Sequence, residues 1–138
     1  MSPPKLTSGF QEMAHTADLM LKVWAQDYLT LLEEAAKGMY HLMGITSDPD
    51  THIIKTISLN AVDIEGLLVL FLSELIYYVE NQIVFTQLDL VIDDLKLSGD
   101  LVGQMIFYQK NEIKAVTYHN LMVTYTNMHL ETLIVFDA

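Results

Sequence analysis

The sequence predicts an α+β fold, a mostly antiparallel β-sheet packed against two α-helices. Three observations carry this. Two stretches, near residues 28–43 and 64–80, repeat apolar residues at helical spacing. Other segments alternate apolar and polar residues with the period of two that marks a half-buried strand. The C-terminal part reads as strand, turn, strand in succession, the order of hairpins rather than of crossover units. With 138 residues the chain is read as one domain over 1–138.

Residues 1–8 read as a loose leader, and nothing apolar follows Met1-Ser2-Pro3-Pro4-Lys5 in the manner of a signal peptide. Phe10 to Met13 is a short strand. Leu19 to Trp24 is another, with Leu21 and Val23 alternating against Met20, Lys22 and Trp24. A helix over Tyr28 to Met43 has Asp27 as N-cap and an apolar face of Leu32, Ala35, Ala36, Met39, Leu42 and Met43. Gly44 suits the left-handed residue that ends it, whereas Gly38 inside it lowers helix propensity. Ser47-Asp48-Pro49-Asp50 is a turn, and Ile53 to Ala61 alternates as a strand. Asp63 caps a second helix reaching Glu80, apolar over most of its circumference with a thin polar stripe near Ser73, Tyr77 and Glu80. Val84 to Ile92 is a strand, Asp93-Asp94 a tight turn, and Leu95 to Val102 its partner. After a loop with Lys110 and Asn111, Ile113 to Tyr125 reads as a strand with Lys114, Val116 and Tyr118 on one face and Ala115, Thr117 and His119 on the other. Asn127 marks a hairpin before a final strand, His129 to Phe136.

Composition narrows the function. Apolar residues make up 51% and charged residues 18%, so the chain can bury a core and is not disordered. Eighteen acidic residues face seven basic ones, a formal charge of −11, and all seven are Lys. Nucleic-acid binding neutralises phosphates with Lys and Arg, so strong direct binding of RNA or DNA is not expected. The absence of Cys excludes disulfides, Cys-based zinc sites and thiol catalysis, and is compatible with a cytoplasmic location. The longest strictly apolar run, Leu67 to Leu72, is too short to span a membrane. Phosphate-binding glycine loops and the H-E-x-x-H and G-x-S-x-G motifs are missing.

Four places could carry chemistry. In His15-Thr16-Ala17-Asp18, a carboxylate beside an imidazole suits a metal or a proton transfer; the bland alternative is a turn capped by Thr16 or Asp18. At Val135-Phe136-Asp137-Ala138, Asp137 adjoins the terminal carboxylate of Ala138. If the last strand pairs near Asp18, three carboxylates converge, a donor set for a hard ion such as calcium or magnesium; the alternative is a solvated terminus. His119 and Lys114 could line a contact surface or simply sit on an exposed strand face. Glu74 lies in a nearly apolar helix and must either be paired or reach solvent.

His15-Thr16-Ala17-Asp18, Ile113-Lys114-Ala115-Val116-Thr117-Tyr118-His119 and Val135-Phe136-Asp137-Ala138, with Glu33-Glu34-Ala35-Ala36-Lys37-Gly38 and Leu72-Ser73-Glu74-Leu75-Ile76-Tyr77 between them, resemble the archease family in order and spacing from Phe10 to Ala138. The resemblance implies an α+β protein that is not itself a ligase. It implies an activator of the GTP-dependent, RtcB-type RNA ligase of tRNA splicing, promoting guanylylation and multiple turnover. It carries the metal ligands onto Asp18, Asp137 and the Ala138 carboxylate, with calcium or magnesium as the ion and manganese as a third option. His15, Glu74, Lys114 and His119 are candidates for supporting or partner contacts. Where the family often has a polar loop with a His, Gly99 to Tyr108 has none, and Arg-dependent contacts are absent. Two other functions stay open: a small metal-dependent hydrolase with Asp18 on the ion and His15 as base, and a chaperone or specificity modulator of an RNA methyltransferase.

Overall fold

The computed structural model describes residues 7–13 and 18–138. In chain order these form β1 (Gly9–Met13), β2 (Leu19–Ala25), α1 (Tyr28–Met43), β3 (Ile45–Ser47), β4 (Ile53–Asn60), α2 (Ile64–Glu80), β5 (Ile83–Asp93), β6 (Lys96–Gln109), β7 (Ala115–Val116), β8 (Thr124–Thr126) and β9 (His129–Asp137). Most of the expected leader, and His15 to Ala17, lie outside the described residues.

Both helices begin and end where their caps dictate. Asp27 Oδ1 accepts the Thr30 N–H at 2.8 Å, and Gly44, at φ 62°, closes α1 with its N–H on the carbonyls of Tyr40 and His41. Gly38 sits where α1 comes closest to the sheet. A Cβ there would lie 2.4 Å from Leu21 Cδ2 and 3.0 Å from Phe10 Cγ, so packing overrides propensity. Asp63 Oδ1 accepts the Gly66 N–H at 2.6 Å to start α2. That helix buries Leu67, Leu68, Phe71, Leu72, Leu75, Ile76 and Val79, and its exposed stripe is Leu70, Ser73, Tyr77 and Glu80.

The strands form two sheets rather than the expected single one. The first runs β1-β2-β9-β7, with β8 also on β9; the second centres on β6, flanked by β3, β4 and β5, and every pairing is antiparallel. One core joins them: Leu21, Val23, Ala25, Ile134 and Phe136 from the first sheet and Ile57, Phe85, Leu97 and Leu101 from the second belong to the same buried cluster as the inner faces of both helices. Each helix touches strands of both sheets, α1 chiefly β1 and β2, α2 chiefly β5 and β7. Among the described residues, no helix is long and apolar enough to cross a membrane.

Two segments differ from the sequence reading. The stretch after Val102, expected to leave the sheet, continues β6 to Gln109 because β5 pairs it as far as Met105 and β3 then takes over from β4. Gly103 allows this, since a Cβ there would lie 2.4 Å from the Val84 carbonyl oxygen. The segment expected as one strand from Ile113 to Tyr125 is strand only at β7 and β8, with an excursion between them. Its buried residues are Ile113 and Val116, three apart, so Val116 does not share a face with the exposed Lys114 and Tyr118.

Candidate functional site

β2 and β9 pair from Leu19↔Phe136 to Ala25↔Leu130. Extending that register by one residue sets Asp18 opposite Asp137. Leu21, Val23, Ile134 and Phe136 are buried in the core. By alternation, Asp18, Met20, Lys22, Glu131, Leu133, Val135 and Asp137 belong to the other, outer face. On the far side of β9, Ala115 pairs with Asp137, and the Lys114 N–H donates to the Asp137 carbonyl at 2.7 Å. Asp137 is thus held at the end of the strand between β2 and β7. Asp18 is half-buried, and Asp137 and Ala138 are exposed.

Side chains directly opposite on antiparallel strands have Cβ atoms about 5 Å apart, and like charges there are unfavourable. A cation relieves that repulsion. Two carboxylates supply only oxygen donors, the chemistry of a hard ion rather than of zinc. The residues therefore fit the expected divalent ion by ligand type. Among the described residues no group of three or more His, Asp or Glu side chains is placed to hold an ion.

The other predicted residues scatter. Lys114 immediately precedes β7 and is exposed. His119 lies in an exposed turn closed by the Leu121 N–H on the Tyr118 carbonyl at 3.0 Å, not on a strand face. Glu74 is half-buried in the second half of α2, one turn from Tyr78, whose phenol is pushed up by burial and, less, by the Glu74 charge. His15 lies outside the described residues.

Sequence reasoning missed a clasp around residues 117–123. The Tyr118 hydroxyl donates to Asp63 Oδ2 at 3.1 Å, Glu65 Oε2 accepts the Val123 N–H at 2.9 Å, and the Thr132 hydroxyl donates to the Met122 carbonyl at 2.9 Å. The hydrogen bond to Asp63 is the main cause that pushes the Tyr118 phenol up. In the sequence Asp63 read only as a helix cap, and Glu65 was not singled out. Also unread was an ion pair on the outer face, Lys22 Nζ to Glu131 Oε1 at 2.7 Å. Beside it His129, 8% exposed, has its Nε2 without a hydrogen-bond partner and 3.7 Å from Glu131 Oε2. Lys22 and Glu131 line an open groove of about 430 Å³ together with Met13, Met122, Thr124 and Leu133 among others.

Comparison with known proteins extends this picture. The sequence model of the Archease protein family matches residues 10–138. Protein archease of Saccharolobus islandicus is 31% identical over 135 residues, covering 92% of this chain and 97% of the relative. A protein archease-like chain of Dictyostelium discoideum is 30% identical over 122 residues, 80% of each. A crystal structure from Thermotoga maritima, described as an archease and possible chaperone, superposes with a TM-score of 0.71 at 24% identity, covering 100% of this chain and 98% of that one. A solution structure of protein 1598 from Methanobacterium thermoautotrophicum gives 0.67 at 20% identity, covering 94% and 99%, and these two likenesses concern the fold. With the family matched over nearly its whole length, the chain belongs to the archease family.

Proposed function

We propose that this protein is a non-catalytic activator of a GTP-dependent, RtcB-type RNA ligase, promoting its guanylylation and multiple turnover in tRNA splicing. The observation that carries this is family membership over residues 10–138, joined to the placement of Asp18 and Asp137 at one end of the β2–β9 pair. Asp18, Asp137 and the Ala138 carboxylate hold a divalent cation, calcium or magnesium before manganese. Such an ion, when bound, supplies positive charge against phosphate. The chain's own residues do the rest. β9 holds Asp137 between two neighbouring strands, and the 117–123 excursion that follows β7 is clasped to Asp63 and Glu65 at the start of α2. The charge of −11 repels RNA and attracts a ligase that needs a basic surface for its substrate.

The test is guanylylation of the cognate ligase at limiting GTP, with and without this protein. Stimulation that falls at high salt, and falls with Asp137→Asn or with one residue added after Ala138, is the expected result. No stimulation at any metal or salt concentration rejects the reading. Full stimulation by both altered proteins rejects the three-carboxylate site while leaving the activator role intact. Capture of a methyltransferase rather than a ligase from its own cell extract would instead favour a chaperone role, in line with the description of the Thermotoga relative.

A further inference from the structure

The outer face of the first sheet is left without a covering layer by the described residues. On the inner face Leu21, Val23, Ala25, Ile134 and Phe136 are fully buried, whereas Leu133 is 44%, Met13 37% and Met122 66% exposed. These three line a groove together with the Lys22–Glu131 ion pair and the polar Asn120 and Thr124. Exposed apolar side chains set among charged and polar ones offer a partner both apolar contact and polar anchors. Its two methionines are unbranched and polarizable, and adapt to the shape of what they meet.

We propose that this groove is the surface on which the partner ligase docks, and that it receives an apolar side chain carried on a basic segment of that partner. The inference rests on the activator reading above and adds the place of contact. Charge selects the occupant. Lys22 is tied to Glu131 at 2.7 Å, and the carboxylates further along the same strands are Asp18 and Asp137. A second copy of the chain would bring another −11 against it, and RNA or an anionic lipid surface would also be repelled. A basic protein is attracted. The geometry also ties the groove to the carboxylate end. Leu133 and Asp137 are four residues apart on β9, about 13 Å at the usual rise of a strand. One partner surface of ordinary size spans both.

The experiment measures binding of the cognate ligase to the full chain by calorimetry at low and high salt. Leu133→Lys and Met122→Lys place a cation in the groove. Val91→Lys, at a position 65% exposed on the second sheet, is the control with the same charge change. Both groove variants are expected to weaken binding about tenfold or more, as central contacts do, and the control less than about threefold, as an exposed rim charge does. Circular dichroism and melting temperature verify folding. Leu133→Ala and Met122→Ala, which add no charge, are expected to weaken binding to a lesser degree. If the wild-type chain binds the ligase and the groove variants bind equally well, or the control loses as much as they do, the docking surface is wrong and the activator role stands. If the wild-type chain does not bind the ligase at any salt concentration, the activator reading fails and the docking surface fails with it.

Discussion

Asp63 and Tyr118 meet across 55 positions of sequence, with the Tyr118 hydroxyl 3.1 Å from Asp63 Oδ2. The other oxygen of the same carboxylate receives the Gly66 N–H at 2.6 Å. One side chain therefore starts α2 and anchors the excursion between β7 and β8. Glu65, two residues on, holds the far end of that excursion through the Val123 N–H. The clasp fixes where residues 117–123 sit relative to the groove that Asn120 and Met122 help to line.

Removing that shared carboxylate should be felt in stability. Asp63→Ala deletes an N-cap, a loss of about 1 kcal/mol and up to about 2. Asn is also a good N-cap residue, so Asp63→Asn should cost less. Urea unfolding of the two variants beside the wild type measures the difference.

Glu65→Ala tests the other end of the clasp. A backbone N–H bound to a carboxylate loses a charge-assisted hydrogen bond, usually about 1.5–3 kcal/mol. Local opening should make the Val123 amide exchange roughly tenfold faster or more. Amides of β2 and β9 should change far less, which hydrogen exchange resolves residue by residue.

Gly38→Ala should destabilise although alanine is the better helix former by about 1 kcal/mol. The added methyl would sit 2.4 Å from Leu21 Cδ2, and overpacking of this kind costs about 1–3 kcal/mol. A lower urea midpoint with an unchanged slope is the expected result.

Alkaline pH should unfold the protein through its tyrosines. Burial pushes the phenols of Tyr40 and Tyr28 up, the second also through the charge of Glu65, and the hydrogen bond to Asp63 pushes Tyr118 up. In each case the folded state favours the neutral phenol. This contribution to stability is whole below the ordinary tyrosine value of about 10 and is lost as pH rises from there through the folded values. The melting temperature should fall above about pH 10, and tyrosinate absorbance should show a late step that coincides with unfolding. In Asp63→Asn the Tyr118 phenol should titrate earlier.

Excess calcium or magnesium should raise the melting temperature if Asp18 and Asp137 hold an ion. A ligand at a hundred times its dissociation constant adds about 2.7 kcal/mol to the folded state. Asp137→Asn should remove most of that gain. Equal stabilisation of the variant and the wild type would show that the ion binds elsewhere.

The helices were legible because their signals are local. Asp27, Gly44 and Asp63 act within one turn of the residues they cap, and the apolar positions of α1 and α2 repeat within a few residues. Hairpin strands were legible for the same reason, down to Asp94 and Asn127 at positive φ in their turns. β3 was missed because three residues are too few to show alternation. The 113–125 segment was misread because alternation cannot reveal that Tyr118 is drawn away to Asp63 on another element.

The candidate site divides in the same way. Sequence by itself determined the helices, most strands, the acidic balance and the identity of Asp18 and Asp137 as residues worth watching. Only the tertiary structure decided that there are two sheets, that β2 and β9 pair from Leu19↔Phe136 so that Asp18 and Asp137 are the next residues along the two strands, and that Met13, Met122 and Leu133 gather in one groove. The physical reason is range. Caps and periodicity are energies between near neighbours, whereas register and groove depend on which distant strands bury their apolar faces against the same core.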